Sequence, residues 1–212
     1  MTIKRYAVLA LIATTLPQLQ GCFPMVAAGA GTAALSITDR RTTGTQVDDE
    51  GIELRAMNRV NERFGDKVHI NITSFNRSVL LTGEVPDAGT RAAAEKIALG
   101  VANVRGATNE IAVAGLSSLP SRSNDSFLTS KVKARFVDAG LFNPVHVKVV
   151  TENSTVYLFG IVTQKEAEGA VEIARTTGGV RKVVKIFEYC RETDEACRPP
   201  EPPRPESKKA GG

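Results

Sequence analysis

The feature that most constrains this chain is an internal repeat. Val68-His69-Ile70-Asn71-Ile72-Thr73 returns in pattern as Val145-His146-Val147-Lys148-Val149-Val150, 77 positions later. The same offset carries Val79-Leu80-Leu81-Thr82-Gly83-Glu84-Val85 onto Val156-Tyr157-Leu158-Phe159-Gly160-Ile161-Val162. A recurring pattern of this length means one unit built twice, which fixes the architecture before any single element is assigned. With 42% hydrophobic and 24% charged residues the chain is not a disordered polymer, a collagen-like fibre or a multi-span membrane protein. Aromatic residues make up only 5% and Trp is absent, so both cores must be mainly aliphatic.

Each copy parses into the same elements. Asp49, Ile52, Ala56 and Val60 match Asp125, Leu128, Val132 and Phe136, an acidic residue followed by apolar positions one helical turn apart. This predicts amphipathic helices with acidic starts. Strict alternation follows: Val68, Ile70 and Ile72 share one face of a strand, and His69, Asn71 and Thr73 share the other. Turns at Phe75-Asn76-Arg77-Ser78 and Glu152-Asn153-Ser154-Thr155 lead into a second strand, making a hairpin in each copy. Pro86-Asp87 opens an Ala-rich helix to Leu99, Thr163 opens its counterpart to Thr176, and Gly100 and Gly178-Gly179 end them. Third strands follow at Val104 to Ala114 and Val180 to Tyr189. The expected fold class is α+β: two αββαβ modules, each a three-stranded mixed sheet with two helices on one face.

Upstream, Lys4-Arg5 precedes an uncharged, mostly aliphatic run from Tyr6 to Leu16, the pattern of a secretory signal and too short to span a bilayer stably. It ends in Leu19-Gln20-Gly21-Cys22, which resembles the lipobox of bacterial lipoproteins, although Gln20 replaces the small residue usual there. That resemblance implies acylation of Cys22 and cleavage before it; a buried or disulfide-bonded cysteine is the alternative. Several acyl chains on one Cys give a durable anchor where a single chain does not. Phe23 rather than Asp follows the Cys, which in lipoproteins implies transfer to the outer membrane, facing the periplasm; inner-membrane retention is the other reading. Removing Lys4 and Arg5 lowers the formal charge from +4 to +2, and nucleic-acid binding, which needs a basic face to neutralise phosphates, loses its support.

The boundaries then read as a signal peptide at 1–21, a lipidated N-terminus and flexible tether at 22–48, a first module at 49–115 and a linker at 116–124. A second module occupies 125–190 and a Pro-rich tail 191–212. Gly29-Ala30-Gly31-Thr32-Ala33-Ala34 loosely fits a dinucleotide-binding glycine pattern, but no strand precedes it and no βαβ unit surrounds it.

The αββαβ plan, the alternating Val/Ile strand, and the Val-x-Leu-x-Gly-x-Val motif entering an Ala-rich helix together resemble the BON domain. Two such copies, the lipobox, and Arg41-Thr42-Thr43-Gly44-Thr45-Gln46-Val47-Asp48-Asp49 resemble the dual BON-domain outer-membrane lipoproteins of Gram-negative bacteria. The likeness covers nearly the whole mature chain; the segment from Cys190 to Gly212 departs from it. It implies an envelope-integrity role and binding of anionic phospholipid through the second module, with concentration at the division site left open.

The residues bear on the lipid expectation themselves. Phe127, Lys131 and Arg135 form a ridge beside the apolar stripe of the second module's first helix, and every charge between Asp125 and Asp138 is positive. An aromatic ring among cations suits anionic headgroups. In the first module, Glu50, Glu53, Arg55, Arg59, Glu62 and Arg63 cancel. The competing reading makes Phe127 a hydrophobic staple, with Lys131 and Arg135 an ordinary solvated face. A second asymmetry lies on the second strand, where the face opposite the shared glycine carries Leu80, Thr82 and Glu84 in module one but Tyr157, Phe159 and Ile161 in module two. Three large apolar groups do not belong in water. The expectation is that Tyr157, Phe159 and Ile161 pack against the other module; a protein partner, another copy or unrecognised helical cover are the rivals. Gly83 and Gly160 share one strand position and read as structural, where a side chain would collide with a neighbouring element.

Cys190 and Cys197 close a short loop, and in an oxidising periplasm a local disulfide is expected, with intermolecular pairing the rival. Beyond them, Arg198 to Pro205 reads as a polyproline-like spacer or docking strand. The two histidines, His69 and His146, hold equivalent strand positions and read as architectural or interfacial. No phosphate loop, nucleophile elbow or His-Glu metal motif is visible, so no catalytic residue, metal or cofactor is assigned and the chain is not expected to be an enzyme. Partners are then an anionic phospholipid membrane, or an envelope protein using the sheet or tail as an adaptor surface, with no nucleic acid and a monomer favoured.

Overall fold

A computed structural model of the chain describes residues 39–197. The signal segment, Cys22, the glycine pattern at 29–34 and the Pro-rich stretch from Arg198 lie outside the described residues. Among those described, no helix is long and apolar enough to cross a membrane.

The first module comprises α1 (Thr43–Phe64), β1 (His69–Phe75), β2 (Ser78–Val85), α2 (Ala88–Leu99), β3 (Gly106–Asn109) and β4 (Ala112–Val113). The second comprises α3 (Leu119–Ala139), β5 (Val147–Glu152), β6 (Thr155–Val162), α4 (Gln164–Arg175) and β7 (Lys182–Tyr189). In each, the first two strands pair antiparallel and the third pairs parallel with the second, giving a mixed sheet with the hairpin's return strand in the centre. Both modules are thus αββαβ units of α+β class.

The hairpins are two-residue turns. Asn76 and Arg77 have φ of 50° and 64°, Asn153 and Ser154 48° and 59°, the backbone that matches the right-handed strand twist. Asp87 caps α2 by accepting the Thr90 N–H, and Thr163 and Glu166 form a reciprocal capping box on α4. In the first core Ile52, Ala56 and Val60 of α1 meet Ile70, Ile72, Val79 and Leu81 of the sheet and Ala94 and Ala98 of α2. Val132, Phe136, Val149, Val156, Leu158, Ala170 and Ala174 form its counterpart. The alanines let α2 and α4 lie close to their sheets.

Several boundaries differ from the sequence expectation, among them the second module's first strand, which starts at Val147 because Pro144–His146 form a 3-10 turn that takes His146 out of the strand. The long helices begin at Thr43 and Leu119, six residues before Asp49 and Asp125, because Thr42 and Ser118 provide the caps. The tether therefore does not reach residue 48, and the 116–124 segment is mostly helix rather than linker. The first module's third strand is split at Glu110-Ile111: Asn109 Oδ1 accepts the Ile111 N–H, and Ile111 turns into the core. The second module's third strand starts at Lys182, not Val180.

Candidate lipid-facing helix and the module interface

Asp49 and Asp125 are not first-turn acids but buried clips, 2% and 5% exposed. The Asp49 carboxylate accepts the backbone N–H groups of Asn76 and Arg77, the Ser74 hydroxyl and the Arg41 guanidinium. Asp125 accepts the N–H groups of Asn153 and Ser154 at 2.8 Å each. The turn N–H groups have no partner within the hairpin, and a fixed charge beneath them supplies one while pinning the long helix to the sheet.

That anchorage sets the outer face of α3. Phe127 is 64% exposed. Lys131 Nζ donates to the Gly178 carbonyl at 3.0 Å. Arg135 Nη1 donates to the Ile173 carbonyl and to Thr177 Oγ1, and Nη2 to Thr176 Oγ1. Both cations sit against the C-terminal end of α4, where carbonyls lack helical partners and the dipole favours positive charge. The first module repeats half of this device: Arg59, the counterpart of Arg135, donates to the Gly100 carbonyl at the end of α2. Arg55 stands where the second module has Lys131, but Gly51 stands where it has Phe127. The exposed ring is the part that only the second module carries.

The two sheets meet through the faces their own helices leave open. Tyr157 and Phe159 cluster with Phe75 and Leu80 of the first module, flanked by half-buried Val150, Ile161, Val184 and Ile186. The Phe75 and Phe159 ring centroids are 6.3 Å apart. Polar contacts rim the cluster: Asn71 donates to Glu152, Asn76 to Glu188, and Lys148 to Glu53 and the Ser74 carbonyl. Burial pushes the Tyr157 hydroxyl up to about 12, with Glu110 and Glu152 adding to the effect. A protein partner docking on an open sheet face would find this surface covered. Arg40 adds a strut, donating to Glu166 at 2.7 and 3.0 Å and to the Ile161 carbonyl at 2.8 Å. Burial alone would raise the Glu166 carboxyl, but Arg40 and the Thr163 N–H outweigh it and hold the group at about 2.

The paired glycines lie where β2 and β6 cross the start of the neighbouring strands. A Cβ on Gly83, whose φ is +111°, would come within 2.0 Å of the His69 carbonyl oxygen; on Gly160 it would lie 2.4 Å from that of His146. Both obstacles are backbone and cannot move aside cheaply. Cys190 and Cys197 are joined by a disulfide with their Cα atoms 6.2 Å apart.

Sequence reasoning located Phe127 and the glycines but missed Arg40, Arg41 and the role of the two aspartates. A signal for the last was present, since each Asp precedes its hairpin turn by nearly the same distance.

Two αββαβ modules, each with a long helix clipped to a two-residue hairpin, define a tandem-module protein with no assigned catalytic centre. Residues 48–115 and 124–191 each match the BON domain family. The chain is 39% identical over 191 residues to the outer membrane lipoprotein DolP of Haemophilus influenzae, covering 89% of this chain and 99% of that protein. It is 33% identical over 153 residues to the 21 kDa hemolysin of Actinobacillus pleuropneumoniae, covering 71% and 79%. It is 30% identical over 117 residues to osmotically-inducible protein Y of Escherichia coli, covering 54% and 58%. The chain belongs to the BON-domain family and carries two copies of the domain.

Proposed function

We propose that this protein is an outer-membrane lipoprotein, acylated at Cys22 and facing the periplasm, that supports the envelope by binding anionic phospholipid through α3 of its second module. The lipobox-like segment and the likeness to an outer membrane lipoprotein support the anchorage. The observation that carries the lipid reading is Phe127: a 64% exposed ring at the position where the first module has Gly51. An exposed aromatic contributes nothing to a monomer's core, whereas at a headgroup boundary it buries its apolar body. Lys131 and Arg135 lie one and two turns further along, and each keeps N–H groups beyond those given to the α4 end. Their charge near an anionic surface contributes roughly 1 kcal/mol apiece.

The described residues 39–197 belong to one compact unit and can be studied without the anchor. Sedimentation with vesicles containing phosphatidylglycerol tests the reading. Binding should exceed that to phosphatidylcholine vesicles, weaken with salt, and fall severalfold in Phe127→Ser and Lys131→Glu. Equal binding to both vesicle types, or binding indifferent to both substitutions, contradicts it.

A further inference from the structure

We propose that His69, Glu84 and Glu152 form a binding site for a transition-metal dication such as Zn²⁺ at the junction of the two modules. His69 and Glu84 come from β1 and β2 of the first module and Glu152 from the end of β5 in the second. One donor atom from each lies within 4.8 Å of the other two. Donors sharing a tetrahedral zinc at about 2.0–2.2 Å stand ~3.4 Å apart. Small side-chain rotations close the difference. One imidazole and two carboxylates suit a borderline ion better than Mg²⁺, which prefers an all-oxygen shell with retained water.

Burial makes the arrangement unusual. Glu84 and Glu152 are 5% and 7% exposed, and they approach each other where the two modules meet. Two desolvated carboxylates repel unless positive charge is shared between them. Neutral donors, the Ser117 N–H on Glu84 and the Thr82 hydroxyl on Glu152, satisfy lone pairs without cancelling charge. The Asn71 amide nitrogen sits 2.7 Å from Glu152 Oε2 and 3.4 Å from His69 Nε2, bridging the two donors as a cation would. Turned over, that amide presents its oxygen as a fourth donor. Glu84 Oε2 lies 2.9 Å from the other ring nitrogen of His69, a hydrogen bond that Glu84 gives up on taking the ion.

Two independent observations point to a ligand. A cleft of about 410 Å³, lined by His69, Asn71, Arg122, Asp125, Thr129 and Glu152, opens onto the cluster and gives an ion a way in. The cluster is also foreign to the module's own plan: the repeat offset puts Ile161 opposite Glu84 and Phe75 opposite Glu152. Acids stand where the duplicated fold uses apolar residues, and only where the modules meet. A metal held there joins them independently of any lipid at Phe127.

The test is calorimetric titration of ZnCl₂ into the full chain in mild detergent after chelator treatment, beside His69→Gln, Glu152→Gln and His146→Gln variants. The expected result is one zinc per chain, with affinity at least tenfold weaker in His69→Gln and Glu152→Gln and unchanged in His146→Gln. Zinc should raise the thermal midpoint of the unmutated chain and not that of the two ligand variants, and MgCl₂ should give no saturable heat. The midpoints without zinc identify a variant that has lost its fold; the near-isosteric Glu152→Gln then carries the comparison. Absence of saturable zinc binding to the unmutated chain, full affinity in both ligand variants, or a loss that follows His146→Gln overturns the proposal.

Discussion

The Lys131 ammonium donates to the Gly178 carbonyl at 3.0 Å, so the outer face of α3 is held against the loop that follows α4. Arg135 makes the same kind of contact deeper in, with Ile173, Thr176 and Thr177. The two cations therefore differ in how much of the fold depends on them. Lys131 is exposed and gives one bond; Arg135 is half-buried and gives three.

Arg135→Ala should cost about 1–2 kcal/mol of stability, because the end of α4 loses its cationic cap. Lys131→Ala should cost under about 0.5 kcal/mol. Urea unfolding of the two variants checks this. Equal losses would mean that the α4 contacts of Arg135 carry no weight.

Removing a clip should be far more damaging. Asp125→Ala leaves the Asn153 and Ser154 N–H groups without their acceptor beneath α3, at a cost of about 2–4 kcal/mol. Asp49→Ala should cost at least as much, since Asp49 also holds Ser74 and Arg41. Thermal unfolding measures both. Losses below about 1 kcal/mol would show that the hairpins do not need the carboxylates.

Phe159→Glu places a carboxylate against Phe75 and Leu80 in the inter-sheet cluster. Each module keeps its own core, so the expected outcome is separation of the modules rather than global unfolding. Calorimetry should resolve two transitions in place of one, and small-angle scattering should show a larger radius of gyration. Unaltered compactness with retained circular dichroism would contradict the role given to this interface.

The Arg40–Glu166 pair has a pH signature. Glu166 titrates at about 2 in the folded chain against an ordinary 4.5, so its folded-state value is depressed. Its stabilisation is complete above the ordinary value and disappears as pH falls through the folded one. Arg40→Gln should therefore lower the thermal midpoint most near neutral pH, and the difference from the unmutated chain should shrink between about pH 4.5 and pH 2. A constant difference across that range would contradict the assignment.

Much of the fold was legible because its signals are local. The Val/Ile alternation, the turn pairs Asn76-Arg77 and Asn153-Ser154, and the caps Asp87 and Thr163 all sit within a few residues of what they specify. Helix starts were not, since Thr43–Asp48 and Leu119–Asn124 carry no apolar periodicity; only Thr42 and Ser118 mark them, and Asp49 and Asp125 imitate first-turn acids. Polar contacts that join distant parts of the chain left no trace either. Arg135 reads as a surface cation until α4 is brought beside it, and Glu84 meets Glu152 only when the sheets are stacked. Phe127 could be singled out from the sequence, but its solvent exposure could not.

The lipid reading rests most directly on Phe127, and the chain's own composition offers a clean probe. It contains no Trp, so Phe127→Trp creates a single tryptophan, selectively excitable beside the tyrosines, at the position in question. With the protein held through the acyl anchor proposed at Cys22 in vesicles of either phosphatidylglycerol or phosphatidylcholine, the anchor is constant and only headgroup charge varies. The account predicts a blue-shifted, quencher-protected emission in the anionic vesicles alone. Emission that stays water-like in both, or shifts equally in both, would contradict it.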